Sequence, residues 1–468
     1  MTTRGTAPVK HIDWLTFFLF LSLSVIGWLM INAAESSSDP NSTGFSFNDG
    51  AGKQLLLLFV SLVVFWIFFF VDFKFWNTFA YVIYAITLAL LVLVLPFGDK
   101  IKGATSWFNL FGFSLQPSEF AKLGTCLALA SYLSYHKTKL RNRKHIFVSI
   151  GIILLPAALI ILQPDPGSAL VYLSFFLVLY REGLTHWIYV IAGIFVTLFI
   201  LSLIYTVSTV FVLILAISSA IYLLQEKRHW AWWLTYAALA VASVVGLGLG
   251  WQQELIGAHT IFLMTLLILA FRKARFRILI LGIPSILICL GFSYMSRFMF
   301  DRVLEPHQQD RINVWLRPEL SDPRGSMYNL SQSKLAISSG GFQGKGYLKG
   351  TLTKLNYVPE QSTDFIFSTI GEEQGFLGSF GIIAMFLILL VRITMIGERA
   401  KSSFTRTYAY GLAGILFIHF FINIGMTMGL VPVIGIPLPF ISKGGSSLLA
   451  FSMMMAILLK LDMARYAY

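Results

Sequence analysis

Asp322 sits in the stretch Arg317-Pro318-Glu319-Leu320-Ser321-Asp322-Pro323-Arg324-Gly325, between two guanidinium-bearing residues. Pro323 keeps Asp322 out of helical backbone angles and Gly325 permits a sharp bend, so the spacing predicts a carboxylate presented from a turn. Positive charge on both sides favours its ionised form. A carboxylate so placed can take a proton from a hydroxyl group. An ordinary solvated Asx-Pro turn accounts for the same residues.

Other polar groups stand out because they interrupt apolar sequence, where a charge costs at least about 2–3 kcal/mol and turns toward protein interior. Glu119 and Lys122 are three apart, on one helical face, and can neutralise each other. Asp165, followed by Pro166, has the spacing of a helix N-cap. Glu372 and Glu373 are adjacent and point to different sides, so at least one should meet a cation or a hydrated cavity. His419 and Asn423, four apart, suit an interhelical hydrogen-bond pair. Gly340-Gly341-Phe342-Gln343-Gly344-Lys345-Gly346 with Lys349 is glycine-rich and basic, which could cradle a pyrophosphate or form a mobile loop. Trp107 suits an interfacial aromatic belt or a sugar-stacking platform. No His, Cys and acid cluster has metal-ligand spacing, and Cys126 and Cys289 lie in apolar runs that argue against a disulfide framework.

The elements that must position these groups are membrane helices. With 57% hydrophobic and 12% charged residues and a mean hydropathy of +0.75, the chain carries repeated apolar runs of about 20 residues. These exclude a soluble protein and predict an all-α polytopic membrane protein of about fourteen spans. The spans run over 13–33, 54–72, 77–97, 118–135, 146–163, 167–181, 186–205, 209–225, 230–250, 258–271, 277–296, 366–396, 407–430 and 436–460. The first is expected to be retained, being too long for a secretory signal. Most basic residues fall on one set of loops, among them Arg4, Lys10, Lys74, Lys137–Lys144, Arg272–Arg277 and Arg392–Arg406. The positive-inside rule therefore places both termini in the cytoplasm. The net charge of +13 is thus topological and gives no reason to expect nucleic acid. The polar interval 297–365, the loop 98–117, the connection Gln163–Ser168 and the Pro- and Gly-broken Pro432–Ser447 fall outside together. The region 207–276 carries no interpretable motif, so 186–296 is expected to be a structural appendage.

Taken together, W-F-N-L (Trp107–Leu110), Q-P-S-E-x-x-K (Gln116–Lys122), Q-P-D-P-G (Gln163–Gly167), R-x-x-x-W-L-x-P-E-x-x-D-P-x-G (Arg311–Gly325), Q-S-x-x-A-I-x-x-G-G-x-x-G-x-G (Gln332–Gly346), P-E-x-x-T-D-F-I-F (Pro359–Phe367) and G-I-P-L-P-F-I-S-x-G-G-S-S (Gly435–Ser447) resemble the SEDS family of bacterial cell-wall polymerases. The resemblance is closest to its RodA elongation branch rather than its FtsW division branch. It implies a peptidoglycan glycosyltransferase of the bacterial cytoplasmic membrane that polymerises lipid II beside a class B penicillin-binding protein, among membrane lipids. It makes Asp322 the catalytic acid of the outer loop, Trp107 a sensitive outer residue, and Glu119, Lys122 and Asp165 a polar cluster of the core cavity; Glu372 and Ser446 join the expected substrate contacts. It also implies a ten-helix core, with about four helices inserted in 186–296. Lys443 departs from the family, which often has an aromatic residue there.

The reaction needs a base on the attacking hydroxyl and positive charge on the departing pyrophosphate. Asp322 is the expected base, with Arg311, Arg317, Arg324, Lys345 and Lys349 available to the pyrophosphate; a divalent cation, Mg²⁺ or Mn²⁺, would be the one cofactor. The rival readings are a lipid-precursor flippase with Glu119, Lys122, Asp165 and Glu372 along its path, and a non-catalytic scaffold.

Overall fold

The structure, a computed structural model, describes residues 12–35, 50–101, 104–110, 113–135, 140, 142–226, 229–272, 276–322 and 325–466. In chain order come α1 (Trp14–Glu35), α2 (Gly50–Phe70), a short α3 (Phe73–Thr78) and α4 (Ala80–Phe97). Three strands follow, β1 (Asp99–Ile101), β2 (Ala104–Leu110) and β3 (Phe113–Leu115), then α5 (Pro117–Ser134), α6 (Arg143–Ile161), α7 (Pro166–Val171) and α8 (Phe175–Arg181). Next are α9 (His186–Ile204), α10 (Val207–Glu226), α11 (Trp230–Gly248), α12 (Gln252–Arg272), α13 (Phe276–Arg302) and α14 (Pro306–Leu316). The chain closes with α15 (Ser326–Ser339), α16 (Thr351–Lys354), α17 (Ile366–Arg399), α18 (Ser403–Met428) and α19 (Gly445–Met463).

Twelve helices among the described residues are long and apolar enough to cross a membrane, so this is a multi-pass membrane protein. Two of the fourteen expected spans fall short of that standard. The expected span 118–135 is α5, which carries Glu119 and Lys122 and is enclosed by protein along most of its length. Protein surrounds it, with Lys122 matched to Glu119, so it does not need an apolar surface. The expected span 167–181 is broken into α7, a 3-10 turn at Tyr172–Ser174 and α8. The last span begins at Gly445 rather than 436, because residues 432–439 have no regular structure and Gly435 and Phe440 take positive φ. The chain is nearly all helical, as expected, with one small exception among the described residues. Loop 98–117 folds as a three-stranded antiparallel sheet in the order β1-β2-β3.

The chain divides into two units, one of residues 1–185 and 322–468, the other His186–Ser321. In the first, α18 and α19 are central: 78% and 72% of their spanning windows are buried, against 22% for α4. They pack on α17, α5 and α2, while α4 covers α5 and α15 lies against α17. Within the expected outer loop 297–365, α13 runs on to Arg302 and α14, α15 and α16 follow. In the second unit, Tyr222, Leu223, Phe262 and Leu266 form one apolar core, and Leu198, Val210 and Ile214 another. Two pairs of its buried polar side chains meet, Ser202 with Ser293 and Ser243 with His259, both at 2.8 Å.

At the end of the first unit where α1 begins and α19 finishes, charges tie three helices together. Arg399 of α17 meets Asp13 at 2.7 Å and Asp462 at 2.5 Å, and Arg392 meets Asp13 at 2.5 Å. Burial alone would raise the Asp13 carboxyl, but donation by Thr16 and the guanidinium of Arg399 outweighs it and holds the pKa below its usual value. A depressed folded value contributes stability above the ordinary carboxylate range, which is lost as pH falls through that folded value. Thermal unfolding in detergent should therefore occur at lower temperature as pH drops below about 5. Asp13→Asn should flatten that dependence, and an equally steep decline in the variant would contradict the assignment.

Candidate active site

Asp322 follows a 3-10 turn at Pro318–Leu320 and precedes α15. Its side chain is exposed, and its carbonyl accepts a hydrogen bond from Gly325 N at 3.1 Å, which closes the expected bend. Pro323 and Arg324 lie outside the described residues. A carboxylate at an exposed bend can reach a hydroxyl in water.

The glycine-rich segment does bind an anion, but the anion belongs to the chain. Helix α17 breaks at Gly375 (φ 63°, ψ −158°) and residues 341–346 fill the break. Lys345 N and Gly346 N donate to the carbonyls of Glu372 and Glu373 at 3.1 and 2.9 Å. Phe376 N and Leu377 N donate back to Gly341 and Phe342 at 2.9 and 3.2 Å. Four backbone groups beside the break regain partners this way. The carboxylate of Glu372 receives Lys345 Nζ at 2.5 Å and the backbone amides of Thr351, Leu352 and Thr353 at 2.8–2.9 Å, capping α16. Glu373 accepts from Leu348 N and Gly350 N. The expectation that Lys345 and this segment cradle a pyrophosphate, with Glu372 touching substrate, is therefore corrected: these groups satisfy one another. Lys349 is exposed.

Gly375 lies where only glycine fits, since its backbone region is essentially closed to other residues and an added Cβ would stand 2.3 Å from Gly344 N. Gly375→Ala should cost at least about 1–3 kcal/mol and loosen the inserted segment. Thermal unfolding and proteolysis of 341–365 would register this, and wild-type values in both would contradict it.

The first unit also encloses a buried polar cluster. Lys122 Nζ donates to Glu119 Oε1 at 2.8 Å and to His419 Nε2 at 2.9 Å, and lies 5.4 Å from the Phe451 ring centre. His419 Nδ1 donates to the Pro437 carbonyl at 3.0 Å. With Lys122 at 1% exposure and Glu119 at 2%, the pair faces neither water nor a substrate opening. The geometry casts both as structural supports rather than direct substrate contacts. His419 and Asn423 do not pair with each other; Asn423 donates to the carbonyls of Asp364 and Ile436. Together they hold the irregular segment 432–444 onto α5 and the stretch before α17. Sequence reasoning missed His419 as the third member because nothing in its spacing points to Lys122.

Asp165 caps α7 as its spacing predicts, accepting from Ser168 N at 3.0 Å and Gln116 Nε2 at 3.2 Å, and is half-buried. The Ser446 hydroxyl accepts from Gln116 N at 3.0 Å and donates to Ser114 O at 2.8 Å. That makes it a brace between β3 and α19 rather than a substrate contact. Trp107 is half-buried in β2, paired with Asp99 of β1. Lys443 pairs with Glu35, and its amide donates to Ser362 O at 2.8 Å. In the second unit, Arg317 Nη2 donates to the Ile204 carbonyl at 2.6 Å, and Arg311 is exposed.

Residues 13–233 and 208–467 match the description of the cell cycle protein family FtsW/RodA/SpoVE. The chain belongs to this family. Among its relatives in the FtsW/RodA/SpoVE family, the Peptidoglycan glycosyltransferase RodA of Treponema pallidum (strain Nichols) is 33% identical over 450 residues, 96% of each chain. The Peptidoglycan glycosyltransferase MrdB of Escherichia coli (strain K12) is 30% identical over 367 residues, 78% of this chain and 73% of that one. A chain from "Structural coordination of polymerization and crosslinking by a peptidoglycan synthase complex" superposes with a TM-score of 0.63 at 24% identity, over 98% of this chain and 99% of that one. The Thermus thermophilus Rod shape determining protein RodA does so with 0.56 at 22% identity, over 98% and 99%. These structures speak for the FtsW/RodA/SpoVE fold alone. The two matched stretches overlap at 208–233, within α10 and α11.

Proposed function

We propose that this protein is a peptidoglycan glycosyltransferase that polymerises lipid II at the outer face of the bacterial cytoplasmic membrane during cell elongation, beside a class B penicillin-binding protein. The chain-long match to a relative named peptidoglycan glycosyltransferase carries the reading. In the reaction, the Asp322 carboxylate takes the proton from the 4-hydroxyl of one sugar while that oxygen attacks the anomeric carbon of the next. The bond from that carbon to the pyrophosphate oxygen breaks, and undecaprenyl pyrophosphate leaves with the electron pair. A single displacement inverts the anomeric centre. Lys349, which is exposed in the same unit, is available to offset the leaving charge. Among the described residues no three His, Cys, Asp or Glu side chains group closely enough to hold a metal ion.

The arginine-rich end holding Arg392 and Arg399 is read as cytoplasmic, with both chain termini on that side. The flippase reading needs hydrated charges along a path, and the sealing of Glu119 and Lys122 gives it no support. Liposomes containing only this protein and lipid II test the proposal: glycan strands are expected. Lipid translocation without glycan would favour a flippase, and neither product would favour a scaffold.

A further inference from the structure

A cavity of about 530 Å³ opens beside the Asp13–Arg399–Asp462 cluster, between α3, the turn joining α17 to α18, and the end of α19. Lys74, Lys401 and Arg465 line it, against one carboxylate, Asp462, which Arg399 engages at 2.5 Å and Arg465 Nε approaches at 3.7 Å. The nearby Asp72 is turned into capping α3 through Lys74 N at 2.9 Å. Phe73, Phe404 and Leu461 supply an apolar wall, and Ser402 and Asn77 add polar groups. The site lies at bilayer-boundary depth, because α3 is the turn between the spans α2 and α4 and exposes Phe75 and Phe79 alongside. Exposed aromatic side chains at that depth suit the headgroup level.

We infer that this cavity binds the phosphodiester headgroup of an acidic membrane lipid, with Lys74, Lys401 and Arg465 around the phosphate and the aromatic wall against the glycerol and upper acyl chains. Three cations around one committed carboxylate leave the cavity net positive, and basic pockets between spans at a membrane face take such headgroups. The aromatic wall distinguishes a lipid from free phosphate, which has nothing apolar to bury. The inference stands apart from the reaction proposed above, since it concerns a different site and its test reads binding rather than glycan formation.

The test is native mass spectrometry of the full chain released from nanodiscs of phosphatidylglycerol or phosphatidylcholine. Retention of phosphatidylglycerol over phosphatidylcholine is expected. Lys74→Gln/Lys401→Gln, which leaves the Arg465–Asp462 contact intact, should weaken that retention about tenfold or more. A control pair on α6, Arg143→Gln/Lys144→Gln, removes the same charge from outside the cavity and should change it little. Equal retention of both lipids, equal losses in the two variants, or binding of inorganic phosphate alone without lipid would each overturn the assignment. Thermal unfolding of each variant in phosphatidylcholine, expected to match wild type, shows that the comparison is made on folded protein.

Discussion

Lys122→Met is expected to destabilise the protein by about 3–5 kcal/mol, enough to leave little folded material after detergent extraction. Lys122 is 1% exposed and its ammonium is held by Glu119, His419 and the face of Phe451. Removing it strands the Glu119 carboxylate, whose Oε2 already lacks a hydrogen-bond partner. Because most of that loss is the cost of an uncompensated charge, Glu119→Gln/Lys122→Met should recover much of it. The two variants, compared by thermal unfolding, separate this account from simple loss of packing. A single variant as stable as wild type, or a double variant worse than the single, would contradict it.

Asp322→Asn should leave stability unchanged and lower glycan formation by about 10²–10⁴-fold, the range that a positioned general base contributes. Asn matches the carboxylate in size and keeps an oxygen acceptor at an exposed bend whose closing hydrogen bond uses the backbone, so the fold is expected to persist. The loss should fall on kcat rather than KM, since the proton is taken in the reaction step and not in binding. A variant with raised KM and unchanged kcat would make Asp322 a binding group instead.

Much of the fold was legible because apolar length and charge asymmetry are strong signals: the helices around α1, α2 and α9–α13 follow from composition. The local polar chemistry was legible where partners are close in sequence, as with Glu119 and Lys122 three apart or Asp165 capping Ser168. Where partners are distant it was not. Nothing in Gly340–Gly346 announces that residues 341–346 fill a break in α17, and only the structure supplies Glu372 as the anion a glycine-rich basic segment invites. Ser446 looked like a substrate contact because its partners, Ser114 and Gln116, lie more than 300 residues away. The sheet at 99–115 was missed because its strands are short, and the helices within 297–365 because polar helices at a membrane surface leave no apolar run.

The most direct measurement places purified wild-type and Asp322→Ala protein, each confirmed folded by thermal unfolding, in liposomes with lipid II and no other enzyme, and follows glycan strands over time. The account predicts strands from the wild type and at most about a hundredth of that rate from the variant. Strand formation by Asp322→Ala at the wild-type rate would contradict it.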